Sequence, residues 1–135
     1  MLHAPLFKPL FLLIAVIATL HISAINLYLY WSIWWFDMMM HFLGGLWISL
    51  SLLWFLFLSG YTRTQPGEVI KVISIAILGA FLIGILWEYF EWSEGISYPQ
   101  AHFAFDTISD VVCDLIGGFV GGFIFFRKYL RRSSI

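Results

Sequence analysis

Residues 69–92 read VIKVISIAILGAFLIGILWEYFEW, and this stretch decides the fold. Between Lys71 and Glu88 no charged side chain interrupts it. About 20 helical residues cross the roughly 30 Å hydrocarbon core of a bilayer. A soluble helix would need a polar face at helical spacing, and this run has no such face. It is therefore a membrane span, basic at one end and acidic at the other.

The rest of the chain repeats that pattern. A first span covers approximately 9–30 without any Asp, Glu, Lys or Arg, and Pro9 suits the first helical turn, where its missing N–H is not needed. Its apolar run is long for a cleaved signal peptide, and Ile22-Ser23-Ala24 is a poor match to a small-x-small cleavage site. A second span covers 38–59 and ends at Gly60, a helix stop; a third covers 69–92 and a fourth 106–126. Composition agrees, with 61% hydrophobic and only 11% charged residues over 135, and a mean hydropathy of +0.92. The expected fold is an all-α integral membrane four-helix bundle, one domain over residues 1–135. Cys113 is the single cysteine, so an internal disulfide is excluded. The bilayer is the expected partner, no nucleic acid is, and oligomeric state is not legible.

Charge gives the orientation. Lys8, Arg63, Lys71, Arg127, Lys128, Arg131 and Arg132 all fall at one membrane face, and segment 31–36 and loop 93–105 contain no Lys or Arg. The positive-inside rule places both termini in the cytoplasm of a cell (inner) membrane. Of eight acids only Glu68 lies on that side; Asp37, Glu88, Glu91, Glu94, Asp106, Asp110 and Asp114 lie at or below the outer face. Tyr28, Tyr30, Trp31, Trp34, Trp35, Trp87, Tyr89 and Trp92 crowd the same boundary as an interfacial aromatic belt.

Within the acidic set the spacings are helical. Asp37 and His41 are i,i+4, Glu88 and Glu91 are i,i+3, and Asp106, Asp110 and Asp114 share one helix face. Asp114 lies about 12 Å deeper than Asp106, and His21 about 13 Å below Tyr30, so Asp114 and His21 are placed to meet near mid-membrane. An ionised carboxylate facing lipid costs at least ~2.5 kcal/mol, so these groups should converge inside the bundle. Ala76, Ala80 and Gly84 precede Glu88 at steps of four, and Gly117, Gly118, Gly121 and Gly122 follow Asp114. Such small-residue stripes let helices approach closely, below an acidic cup open outward.

Crowded carboxylates must share protons or bind cations. With a histidine they suit Zn²⁺, Mn²⁺ or Fe²⁺; alone they suit Mg²⁺ or Ca²⁺. The candidate metal ligands are His41, Glu88, Glu91 and Asp110, with Asp37 orienting His41 and with Asp106, Asp114 and His21 in support. The plainer readings are a hydrogen-bonded polar network, a core role for His21, and Asp106 as a solvated N-cap.

The same residues carry a resemblance. FDMMMHFLGG (Asp37, His41, Gly45), LWEYFEW (Glu88, Glu91, Trp92) and DTISDVVCDLIGG (Asp106, Asp110, Gly117) resemble, in this order, the three motifs of the YjdF-like family of small bacterial inner-membrane proteins. A looser likeness is to the VanZ-like family, associated with glycopeptide resistance. The resemblance implies a shared site of Asp37, His41, Glu88, Glu91, Asp106 and Asp110, and brings no established activity. It departs in two ways: family members usually have extra spans, and Asp114 stands where a small or apolar residue is expected. The leading expectation is a cation-binding membrane protein, divalent metal as its cofactor, acting on a lipid-linked or phosphate-bearing substrate. A proton or cation conduit through Asp106, Asp110, Asp114 and His21 is the rival, weakened because 115–126 holds no ionisable side chain. A structural or accessory subunit is the third reading.

Overall fold

The computed structural model describes residues 6–60, 68–95 and 103–130. Arg63, Arg131, Arg132 and most of the 93–105 loop lie outside the described residues. Helix α1 is Phe7–Leu27, the short α2 is Leu29–Ser32, α3 is Phe36–Leu53, α4 is Val69–Glu94 and α5 is Phe103–Phe125. Helices α3 and α5 each end in a π-helical turn, Trp54–Leu58 and Phe126–Leu130. Among the described residues four helices are long and apolar enough to span a bilayer, and no strand occurs. The chain is an all-α, multi-pass membrane protein.

Its core is a three-helix wedge. Helix α5 packs between α3 and α4, which also touch each other, whereas α1 packs on α3 and α2. The α4 contribution is a stripe at steps of four, Val72, Ala76, Ala80, Gly84 and Glu88, the buried residues of a helix otherwise facing outward. On α5 the paired glycines serve two neighbours. A Cβ on Gly118 would meet the Ala80 Cβ at 2.8 Å, and one on Gly122 would meet the Ala76 Cβ at 2.9 Å. A Cβ on Gly117 or Gly121 would instead collide with α3, at the Phe42 carbonyl and the Ser49 hydroxyl. Small residues thus set the spacing on both faces of α5, the packing device that lipid-embedded helices use in place of the hydrophobic effect.

The first span is less regular than its hydropathy suggests. Expected to run to residue 30, its helix stops at Leu27 because Tyr28 adopts a left-handed backbone (φ 56°, ψ 33°). The chain then turns through α2, and Tyr30 comes to lie against Phe36 at the start of α3, ring centroids 5.2 Å apart. At the other end of α1, the Trp47 indole donates a 3.0 Å hydrogen bond to the Leu10 carbonyl, pinning α1 to α3.

Candidate functional site

The acids gather where α3 and α5 begin and α4 ends. Asp37 and Asp106 fall in the first turns of α3 and α5, where helix dipoles favour negative charge by roughly 0.3–1 kcal/mol. Asp106 sits inside the first turn of α5, which begins at Phe103, so it is not an N-cap. Glu88 and Glu91 stand at the unfavourable C-terminal end of α4. Fold geometry rather than local helix electrostatics therefore brings them here.

His41, 7% exposed, is the hub. Its Nδ1 lies 3.0 Å from Asp114 Oδ2. The carboxylate is the acceptor, so Nδ1–H donates, and in the neutral ring this leaves the Nε2 lone pair on the opposite side. There Nε2 faces Glu88 Oε1 at 3.7 Å and Asp37 Oδ1 at 3.8 Å. Both distances exceed a hydrogen bond. They suit donors around a shared ion, since metal–nitrogen and metal–oxygen bonds of about 2.0–2.2 Å keep ligands within roughly 4.4 Å of one another. Asp37, expected to orient His41, does not make the ring hydrogen bond; Asp114, from a different helix, meets Nδ1, and Asp37 lies on the Nε2 side of the ring.

Two groups of side chains bring donor atoms within 4.8 Å of one another: Asp37, His41 and Asp110, and His41, Glu88 and Glu91. The four expected ligands are thus all present, divided between two triads. Asp110 is 1% exposed, and neither of its carboxylate oxygens has a hydrogen-bond partner; Glu88 Oε1 is unpartnered as well. Leaving such a group buried and unsatisfied costs about 1–3 kcal/mol, and more if it is charged. Glu91 accepts a 3.0 Å bond from the Trp87 indole one turn earlier, so Trp87 does more than anchor the interface. Asp106 stays at the half-buried rim, in neither triad.

His21 does not meet Asp114. Its Nδ1 lies 2.7 Å from the Tyr30 hydroxyl, and α1 packs on α3 rather than α5. Asn26, which separates His21 from the outer surface in sequence, is turned back to the Ile22 carbonyl at 2.7 Å. Tyr30 is the polar residue that sequence reading passed over as one more belt aromatic. Burial first, then the charges of Asp37 and Glu91, push its phenol up to about 12, so it remains protonated beside the acids. No periodicity could have revealed it, because a left-handed residue separates it from His21.

Two glycines complete the site. A Cβ on Gly84 would strike the Asp114 carboxylate, and one on Gly45 the Asp114 backbone carbonyl. The glycines on α3 and α4 therefore make the space in which Asp114 reaches His41.

Comparison with curated proteins and with solved structures gives no match. The model of one family, DUF2238, described as a predicted membrane protein, matches residues 2–132, and the chain belongs to that family.

Proposed function

We propose that this protein holds a divalent cation in a membrane-embedded site formed by His41, Glu88, Glu91 and Asp110, with Asp37 beside them. The cation would act on a lipid-linked or phosphate-bearing substrate at the outer leaflet. The observation that carries this reading is Asp110, almost wholly buried with both oxygens unpartnered, in one triad with the Asp37 carboxylate and His41. A hydrogen-bonded network would supply Asp110 with donors. A cation satisfies it directly and offsets the surrounding negative charge. A cation held by these residues would supply Lewis-acid chemistry, such as polarising a phosphoryl oxygen or lowering the pKa of a bound water. Asp114 holds the imidazole, as an outer-shell carboxylate does for a metal-bound histidine.

The orientation proposed with it places the acidic end outward and both termini in the cytoplasm of a bacterial-type inner membrane. Its supports are the segregation of Lys and Arg and the likeness of the three motifs to the YjdF-like and, more loosely, VanZ-like families.

Thermal unfolding of the purified protein with and without chelator tests the cation. Bound metal at about 100 times its Kd stabilises by about 2.7 kcal/mol. Chelator should lower the midpoint of the wild type and leave Asp110→Asn unchanged. Equal melting of the wild type with and without chelator would refute the proposal. A rise in midpoint in Asp110→Asn would then identify a metal-free cluster relieved of repulsion.

A further inference from the structure

We infer that the Tyr30 hydroxyl, held by His21, is the donor that meets a phosphate oxygen at the mouth of the acidic site. This rests on the cation-binding reading above and adds to it a substrate-contacting residue from outside the three core helices.

The site has a floor and a rim. His41, Glu88, Asp110 and Asp114 are buried, whereas Asp37 and Glu91 are only half-buried. Tyr30 stands at that rim. Its ring packs edge-on against Phe36, the residue before Asp37, and Asp37 and Glu91 are the two charges that act on its phenol. It reaches this place because the left-handed backbone at Tyr28 ends α1 and turns the chain toward α3.

Those neighbours decide the direction of the His21–Tyr30 hydrogen bond. At 2.7 Å either partner can donate. If the phenol gave its proton to Nδ1, its oxygen would turn only lone pairs toward Asp37 and Glu91, and acceptors would face acceptors. If Nδ1–H donates instead, the phenolic O–H is left to point at the acids, and their field favours this arrangement. The phenol stays protonated, pushed up to about 12. Tyr30 is therefore an uncharged donor at the rim, and His21 is the residue that positions it.

A phosphate group drawn to a cation in this cup would meet carboxylates around it. The cation attracts one of its oxygens, and a second oxygen needs a donor. The Trp87 indole is already committed to Glu91, and the described lysines and arginines stand at the other end of the molecule. Tyr30 supplies the donor without a positive charge that would compete with the cation for the carboxylates.

The purified full chain in detergent, loaded with Mn²⁺, can be titrated with inorganic phosphate and separately with dioctanoyl phosphatidic acid. Bound Mn²⁺ broadens the phosphorus resonance of whichever phosphate reaches it. We expect Tyr30→Phe to bind Mn²⁺ as the wild type does and to lose roughly 10–100-fold in phosphate affinity, the range for a hydrogen bond to a charged acceptor. His21→Leu should show a similar loss, and His21→Asn, whose amide nitrogen replaces Nδ1, should recover it. Tighter binding of the lipid assigns the phosphate to a headgroup, and equal binding assigns it to a soluble ion; both keep the role of Tyr30. Equal phosphate affinity in wild type and Tyr30→Phe would overturn the inference, as would a Mn²⁺-loaded wild type that binds neither probe; the cation reading would stand in both cases. Loss of Mn²⁺ binding in Tyr30→Phe would make the residue structural and overturn its role at the rim. A wild type that binds no Mn²⁺ would overturn both readings.

Discussion

Asp114 and Asp37 flank opposite sides of the His41 ring, and substitution should separate their roles. Asp114 meets Nδ1 at 3.0 Å, whereas Asp37 faces Nε2 at 3.8 Å. An asparagine at 114 can still accept from Nδ1–H but loses the charge that makes the ring a stronger ligand. Asp114→Asn should weaken Mn²⁺ or Zn²⁺ binding about 10–100-fold without abolishing it. An unchanged dissociation constant would remove Asp114 from the positioning role. Tyr30 gives a second residue-scale prediction. With its phenol at about 12 against an ordinary value near 10, its neutral form is the one the fold favours. That contribution to stability is complete below about pH 10 and is lost as pH rises through the folded value. Phenolate absorbance should show one of the six tyrosines titrating near pH 12. The late step should vanish in Tyr30→Phe, and if it survives there, Tyr30 is not the shielded phenol.

At the scale of the element, α5 is a helix with two working faces. Gly118 and Gly122 admit α4, and Gly117 and Gly121 admit α3. The four acids and the histidine of the two triads come from α3, α4 and α5, so the helix separations set the site. Gly117→Ala aims its methyl at a backbone carbonyl of α3, which cannot swing aside. It should destabilise by about 1–3 kcal/mol and weaken cation binding by moving Asp110 and Asp114 away from His41. Gly44→Ala is the control, since nothing lies within 4 Å of its added Cβ. There the gain in helix propensity should leave stability unchanged or raise it by up to about 1 kcal/mol. Chemical denaturation and metal titration of the two variants give the comparison; similar behaviour would mean that close packing of α5 does not set the site.

Across the whole molecule, polar chemistry is concentrated at one end. The other end is apolar packing around Leu53, Val72, Ala76 and Phe125, with the described Lys and Arg beyond it. A voltage- or gradient-driven conduit would need ionisable groups through that packed half, and residues 115–126 contain none. The charge segregation predicts that a cysteine placed in the 93–105 loop reacts with an impermeant thiol reagent on intact cells. Cys113 must first be replaced, to keep the label specific. Labelling only after the inner face is exposed would reverse the orientation and put the acidic site on the cytoplasmic side.

By itself the sequence determined that the chain crosses a membrane, how many times, and that most of the acids at its acidic end turn inward. These follow from hydropathy and from the cost of a charge in lipid, which are properties of composition and spacing. It also determined that small residues line the same stripes as the acids, because i,i+4 spacing is local. Only the tertiary structure decided which neighbour each residue meets. It gave Asp114 rather than Asp37 the Nδ1 of His41, and it paired His21 with Tyr30. It also split the expected ligands into two triads. Those outcomes depend on helix rotation and on a left-handed backbone at Tyr28. No periodicity encodes either, because contacts between helices are fixed by how three surfaces pack at once.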